Sequence, residues 1–390
     1  MVKVSRKQFL TILGVYLLLF ICYCAVRPTL VGNDSYYFLL ATCRYEEATT
    51  YGSLYGIMPQ VLHLIPCNIF LIKALLFVLG FIGIMAIVKF AELFSKNGWR
   101  AGIFMASSPL ILNIFTIFEN EQFAYPLLFI SLYLIYRGII KESGIKKIIF
   151  QLIGIGIITF CGLFLYQGSL YFLVGLGFAS IITFIPALFG FINWIKEFLV
   201  NANPFRNYNM EVVSIIGIGY LSLLNLGIVG LPSIILIPSI YFIILTALSN
   251  QFAVFTMPFL AVGLVCLCDF WKNHVYDNKI VQEFFRSLPN ILLRMCIWFL
   301  LIFSLLTLSY QQPTESEMKA IDFALLHSEK VQNDWGIGWF VKYKGGQTDN
   351  YMFPLLDWEE EKGIIITRKH IDCNCLKQFN EIYVYSCPNP

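Results

Sequence analysis

Residues 106–136 read ASSPLILNIFTIFENEQFAYPLLFISLYLIY, two long apolar runs parted only by Glu119-Asn120-Glu121. Apolar runs approaching 20 residues are long enough to cross a bilayer, so this stretch reads as two membrane spans joined by a tight acidic connection. The pattern extends outward in both directions. The 390-residue chain is 58% hydrophobic and 13% charged, with a mean hydropathy of +0.72, far from the mix of a soluble globular domain. The sequence therefore describes an all-α polytopic membrane protein. Spans are expected near 9–26, 67–94, 101–118, 122–140, 148–166, 169–190, 212–230, 233–249, 251–271 and 289–310. The first is too long for a cleaved signal peptide.

Lys and Arg set the orientation. Lys3, Arg6 and Lys7 precede the first span, Lys96 and Arg100 follow the second, and Arg137, Lys141, Lys146 and Lys147 follow the fourth, which marks these connections as cytoplasmic. The loops at 27–66 and 119–122 then face outward. Residues 311–390 carry 12 acidic and 8 basic side chains, an acidic balance that favours an extracytoplasmic tail. About nine crossings satisfy this, with one apolar piece between 212 and 249 re-entrant or partial; nine to eleven helices bracket the reading.

Two regions follow: a membrane body over 1–310 and a soluble domain over 311–390. The tail opens with a helical pattern from Glu317 to Val331, in which Met318, Ile321, Leu325 and Leu326 recur at helical spacing. Strands are expected at Trp339–Tyr343, Gly363–Thr367 and Glu381–Tyr385, making a small α/β module. Most of the 11 cysteines lie in spans, where a thiol is a small apolar filler. Cys373, Cys375 and Cys387 lie in the tail, where one disulfide from Cys387 to either of the others is expected in an oxidising compartment.

The first outer loop, 27–66, is long for a mere connection. Its SYYFLLATCRYEE segment is suited to a short helix that turns Tyr36, Tyr37, Leu40 and Tyr45 toward lipid or protein. Asp34 at its start reads either as an N-cap or as a chemical group. Glu119 and Glu121, one residue apart, read either as interfacial solvation or as a hard-oxygen pair suited to Mg²⁺ or Mn²⁺. Arg27, Arg44 and Lys73 supply positive charge on the same side, for a lipid phosphate or, for Lys73, simply for snorkelling. Lys89 and Glu92 read as an ion pair one turn apart at the other end.

With both outward loops acidic at one depth, VGNDSYYFLLA (31–41) and the quoted stretch together resemble the GT-C glycosyltransferases. The nearest likeness is to the catalytic subunit of oligosaccharyltransferase and its prokaryotic relatives. That resemblance covers residues 1–140 well and implies a GT-C-like fold whose first-loop acid is Asp34 and whose second acidic pair is Glu119 with Glu121. It implies a metal-assisted, inverting transfer of sugar from a polyprenyl-phosphate donor, dolichyl or undecaprenyl, to a glycan, lipid or protein acceptor at the extracytoplasmic face. Asp34 would be either the general base that activates an acceptor hydroxyl or a metal ligand, and Glu119 and Glu121 metal ligands. Arg27, Arg44, Lys73, Tyr36 and Tyr37 would meet the donor. The segment VQNDWGIGWFVKYKGG (331–346) echoes the family's acceptor-binding segment through Asp334 and Trp335, in altered order; Trp335 and Trp339 are equally readable as core aromatics. Asn250-Gln251-Phe252 stands where relatives often have Arg, and a late external loop with a further Glu is missing, which weakens the case for transfer to protein asparagine. Rival readings are a polysaccharide polymerase or ligase of O-antigen type, for which His63 is the only outward histidine near the membrane, and a lipid-linked glycan flippase or carrier. The latter wants deep polar groups, and only Asn113, Gln151 and Asn225 stand mid-span.

Overall fold

A computed structural model describes residues 4–26, 29–49, 56–166, 168–181, 230–248, 253–273, 313–333, 337–348, 363–368 and 370–387, with scattered positions between 291 and 302. Four helices are long and apolar enough to cross a membrane: Arg6–Ala25, Ile69–Ala91, Glu121–Ile140 and Gly144–Leu165. The protein is a multi-pass membrane protein. Helix α1 (Arg6–Val26) leads into the first loop, which carries α2 (Asn33–Cys43), α3 (Tyr45–Thr49) and α4 (Met58–His63). Then α5 (Ile69–Ala91) crosses back, its first turn closed by Asn68, whose side chain accepts from the Phe70 and Leu71 amides. Helix α8 (Glu121–Ile140) packs between α5 and α9 (Gly144–Phe160).

The expected span over 101–118 is not one helix. It forms α6 (Trp99–Ala106) and α7 (Pro109–Ile114), because Pro109 drives Ser108 out of helical geometry, to ψ 124°, and the Ser108 hydroxyl caps the new helix at the Ile111 amide. The chain nevertheless returns to the side it left, since Val31 and Ile117 form a parallel bridge. At the other end of α9 the helix widens into a π-helical turn, Cys161–Leu165, before α10 (Ser169–Ile181). Two further apolar helices, α11 (Ser233–Leu248) and α12 (Ala253–Asn273), pack on each other. Helix α12 also packs against α6 and α5. The spans expected at 212–230 and, for the most part, 289–310 lie outside the described residues, as do Asn225 and Asn250-Gln251-Phe252. Along α9, Ile145, Ile148, Leu152 and Ile153 are exposed, as a lipid-facing helix requires.

The tail begins with α13 (Glu315–Leu325), stopped well short of the expected Val331. Its capping box pairs Thr314 with Glu317, and the fully buried Glu317 also binds Arg368. Leu326, expected on its apolar face, is exposed just past its end. Strands β1 (Val331–Asn333), β2 (Gly363–Thr367), β3 (Asn374–Phe379) and β4 (Ile382–Cys387) form one sheet in the order β1-β2-β4-β3, parallel only between β1 and β2. The segment expected as a strand at 339–343 is instead helix α14 (Gly338–Tyr343), and β3 was not anticipated. A disulfide joins Cys373 to Cys387, leaving Cys375 free and exposed. A second joins Cys43, at the end of α2, to Cys67, just before α5. Cys67 thus sits before α5 and in a disulfide rather than inside the expected span 67–94, so the reading of it as apolar filler fails.

Candidate functional site

The site is assembled where three connections meet at one end of the helical body. Gly32 enters α2 with φ 88°, a left-handed conformation that a side-chain-bearing residue adopts only with strain. Gly32, not Asp34, occupies the cap position, and no side chain caps α2. The cap reading of Asp34 is thereby corrected. Asp34 lies in the first turn, and the neighbouring Ser35 does the structural work. Its buried hydroxyl donates to the Val31 carbonyl at 2.5 Å and accepts from the Phe118 amide at 2.9 Å, stitching the first loop to the second.

That stitch sets Glu119 beside the first loop, its Oε1 4.0 Å from where a Cβ on Gly32 would stand. Glu119 is only 6% exposed, and Oε1 has no hydrogen-bond partner among the described residues. Its amide donates to Gln122 Oε1 at 3.0 Å, while Gln122 Nε2 donates to the Ile114 carbonyl at 3.2 Å. Glu121 is not a loop residue, as expected, but the first residue of α8, where the unpaired amides of the helix start favour a carboxylate. Tyr166 and Tyr125 turn their phenols toward Glu121 as hydrogen-bond donors.

The three carboxylates act on one another. Burial pushes the Glu119 carboxyl well above the usual carboxylate range, and the charges of Glu121 and Asp34 push it further. Burial raises Asp34 as well. Half-buried acids from the first loop and from the start of α8 thus meet around the buried Glu119, at the cost of desolvation and mutual repulsion. Their oxygens suit a hard cation, but no group of three or more Asp, Glu, His or Cys side chains is close enough to enclose one among the described residues.

The aromatic and cationic candidates are placed otherwise. Tyr36 is buried against Phe340, ring centroids 4.7 Å apart, and against Tyr343; Tyr37 packs on Trp339 at 4.4 Å. Both tyrosines thus bind α2 to α14 of the tail. Arg44 joins them there, donating to the Tyr343 carbonyl at 2.6 Å. Lys73 is half-buried in the second turn of α5. Trp339 is a buried core aromatic. Arg27, Asp334 and Trp335 lie outside the described residues. Tyr125, Tyr166 and Ser35 carried no sequence signal, since tyrosine and serine are common at membrane edges.

No protein-family model matches the sequence, and no curated protein is significantly similar to it. Solved structures are similar. ArnT from Cupriavidus metallidurans, in a structure bound to undecaprenyl phosphate, matches with a TM-score of 0.53 at 11% identity, over 98% of this chain and 99% of that one. The Archaeoglobus fulgidus oligosaccharyltransferase, tethered to an acceptor peptide with an NVT sequon, matches with a TM-score of 0.51 at 10% identity, over 86% of this chain. This chain spans 63% of that longer protein. At such identities the likeness is one of fold: the chain shares its overall fold with ArnT and with the oligosaccharyltransferase.

Proposed function

We propose that the protein is a membrane glycosyltransferase that moves a sugar from a polyprenyl-phosphate donor to an acceptor at the extracytoplasmic face. The observation that carries this reading is the convergence of Asp34, from the first loop, and Glu121, from the start of α8, both half-buried, on the buried Glu119. A purely structural site would pair or expose such acids. The undecaprenyl phosphate bound by ArnT and the acceptor peptide tethered to the oligosaccharyltransferase support the donor and acceptor classes.

In the proposed reaction an acceptor hydroxyl attacks the anomeric carbon. Its proton passes to a carboxylate, for which Asp34, in the first turn of a helix fixed at several points, is the candidate. The bond from that carbon to the phosphate oxygen breaks, its electron pair leaves with prenyl phosphate, and the single displacement inverts the centre. Glu119 and Glu121 are the candidate ligands of a divalent cation, Mg²⁺ or Mn²⁺, which when bound would offset phosphate charge. Lys73, half-buried in the second turn of α5, is the cation among the described residues proposed to face the leaving phosphate. The extracytoplasmic placement is supported by two disulfides, one in the first loop and one in the tail, since such bonds persist in oxidising compartments.

The test is transfer of tritiated sugar out of the prenyl-phosphate lipid pool in membranes that contain the wild type or Asp34→Ala. Loss of transfer at normal protein level is expected. Transfer at the wild-type rate removes Asp34 from the mechanism, and activity undiminished by EDTA removes the cation.

A further inference from the structure

The acidic region has a third wall. Where α9 ends, the π-helical turn Cys161–Leu165 carries the chain sideways, and such turns concentrate at functional sites. The segment behind it is anchored twice. The Asn120 side-chain amide, from between the two glutamates, donates to the Leu165 carbonyl at 3.0 Å, and the Ile57 amide of the first loop donates to the Phe164 carbonyl at 3.0 Å. Gly56 permits the second anchor: its φ is 59°, and a Cβ there would fall 2.1 Å from the Phe164 oxygen. The residue so delivered is Tyr166, whose phenol faces Glu121 and whose ring meets Tyr125 edge-on at 6.1 Å.

We propose that Tyr166 is a positioning residue for sugar transfer, holding the Glu121 carboxylate in its working orientation by a hydrogen bond from a third segment of the chain. The anchors give this its physical content. A glutamate side chain has several rotamers, and a donor fixed by two backbone contacts selects among them before substrate arrives. Tyr125, one turn along α8 from Glu121, moves with it; Tyr166 is the donor supplied from outside that helix. The inference rests on the transferase reading above.

Membranes from cells grown on tritiated glucose, so that native prenyl-phosphate sugars carry label, report transfer as label leaving the lipid fraction, for full-length variants of matched abundance. Tyr166→Phe keeps the ring and is expected to lower transfer about 10- to 100-fold, the scale of a small misplacement of a reacting group. Tyr166→His, which restores an N–H donor, is expected to recover part of that loss. The deciding readout is the double variant. If Tyr166 acts through Glu121, Tyr166→Phe added to Glu121→Gln costs no more than Glu121→Gln alone. Should Tyr166→Phe fail to accumulate, Asn120→Ala, which releases the same segment, replaces it in the cycle. Losses that multiply, or Tyr166→Phe at the wild-type rate while Asp34→Asn is inactive, overturn this inference alone. Asp34→Asn at the wild-type rate overturns the transferase reading beneath it.

Discussion

The two ends of the helical body treat buried charge in opposite ways. At the end formed by the α5–α6 and α8–α9 connections, acids have partners: Glu92 binds Lys89 at 2.8 Å, Glu142 binds Arg137 at 3.0 Å, and Asp269 accepts from Ser95 and from Asn97, the latter at 2.6 Å. At the end where α2 meets the α7–α8 connection, Glu119 is buried with an oxygen unpartnered among the described residues, and the charges acting on it are those of two more acids. Paired acids finish helix ends and tie neighbouring segments. Crowded acids are costly to keep, which favours a function over a structural role.

The largest expected effect breaks or confirms that division directly. Asp34→Asn and Glu121→Gln, at the crowded end, should each lower sugar transfer by about 10²- to 10⁴-fold, the range for losing a positioned acid-base group. Glu142→Gln, at the paired end, should leave it within about twofold. Equal losses at both ends, measured in the same membranes, would mean that transfer responds to general damage and that the crowding has no special role.

How much of this could be read beforehand varies with the kind of signal. The two acidic motifs were legible because carboxylates stand out in an apolar sequence, and Lys89 with Glu92 paired as their spacing implied. Strand β2 fell at its expected residues, Gly363–Thr367, where three successive isoleucines admit little else. The break at Ser108-Pro109 was visible in principle, but hydropathy averages over 18 residues and hides one proline. Tail helix α14 was misread because Trp-Phe-Val favours a strand, whereas its partners are the aromatics of α2, some 300 residues earlier. The packing of Tyr36 and Tyr37 on α14 was equally hidden from the sequence. The Cys43–Cys67 bond was missed because Cys67 adjoins an apolar run, and only the fold shows that it precedes the helix.

That disulfide yields the next effect in size. It closes a loop of 24 residues and ties the far end of the helix that carries Asp34. The pair Cys43→Ser and Cys67→Ser should cost about 2–4 kcal/mol, read as a lowered unfolding midpoint in detergent. The compartment can be read in intact cells. Cys375, free and exposed in the tail, should react with a membrane-impermeant maleimide, and labelling only after permeabilisation would reverse the orientation.

Smaller effects separate the ends by sign. Asp269→Ala at the paired end should destabilise by about 1–3 kcal/mol, because it strands the Ser95 hydroxyl and the Asn97 amide, with transfer unchanged. Glu119→Gln should do the reverse. Its carboxyl is raised by burial, so the folded protein binds that proton more tightly than the unfolded chain, in which a glutamate titrates near 4.3. Stability from such a group is complete below that value and is lost as pH rises. The amide has no proton to lose. Glu119→Gln is therefore expected to stabilise by about 1–3 kcal/mol at pH 7, and the gain should fade as pH approaches 4.

The same substitution at the paired end gives the smallest effect and the sharpest control. Lys89 is 39% exposed, so water and salt screen its bond to Glu92, and Glu92→Gln should cost no more than about 0.5 kcal/mol. The chemistry is identical in the two variants, one carboxylate replaced by one amide of the same shape. Only the surroundings differ, with a lysine one turn away in one case and two acids in the other. Opposite signs in parallel thermal unfolding at pH 7 would show that the crowded end stores unfavourable electrostatic energy. A Glu119→Gln that weakens the protein as Glu92→Gln does would mean that the carboxylate at 119 is satisfied in the folded protein, and the contrast between the ends would no longer point to a site.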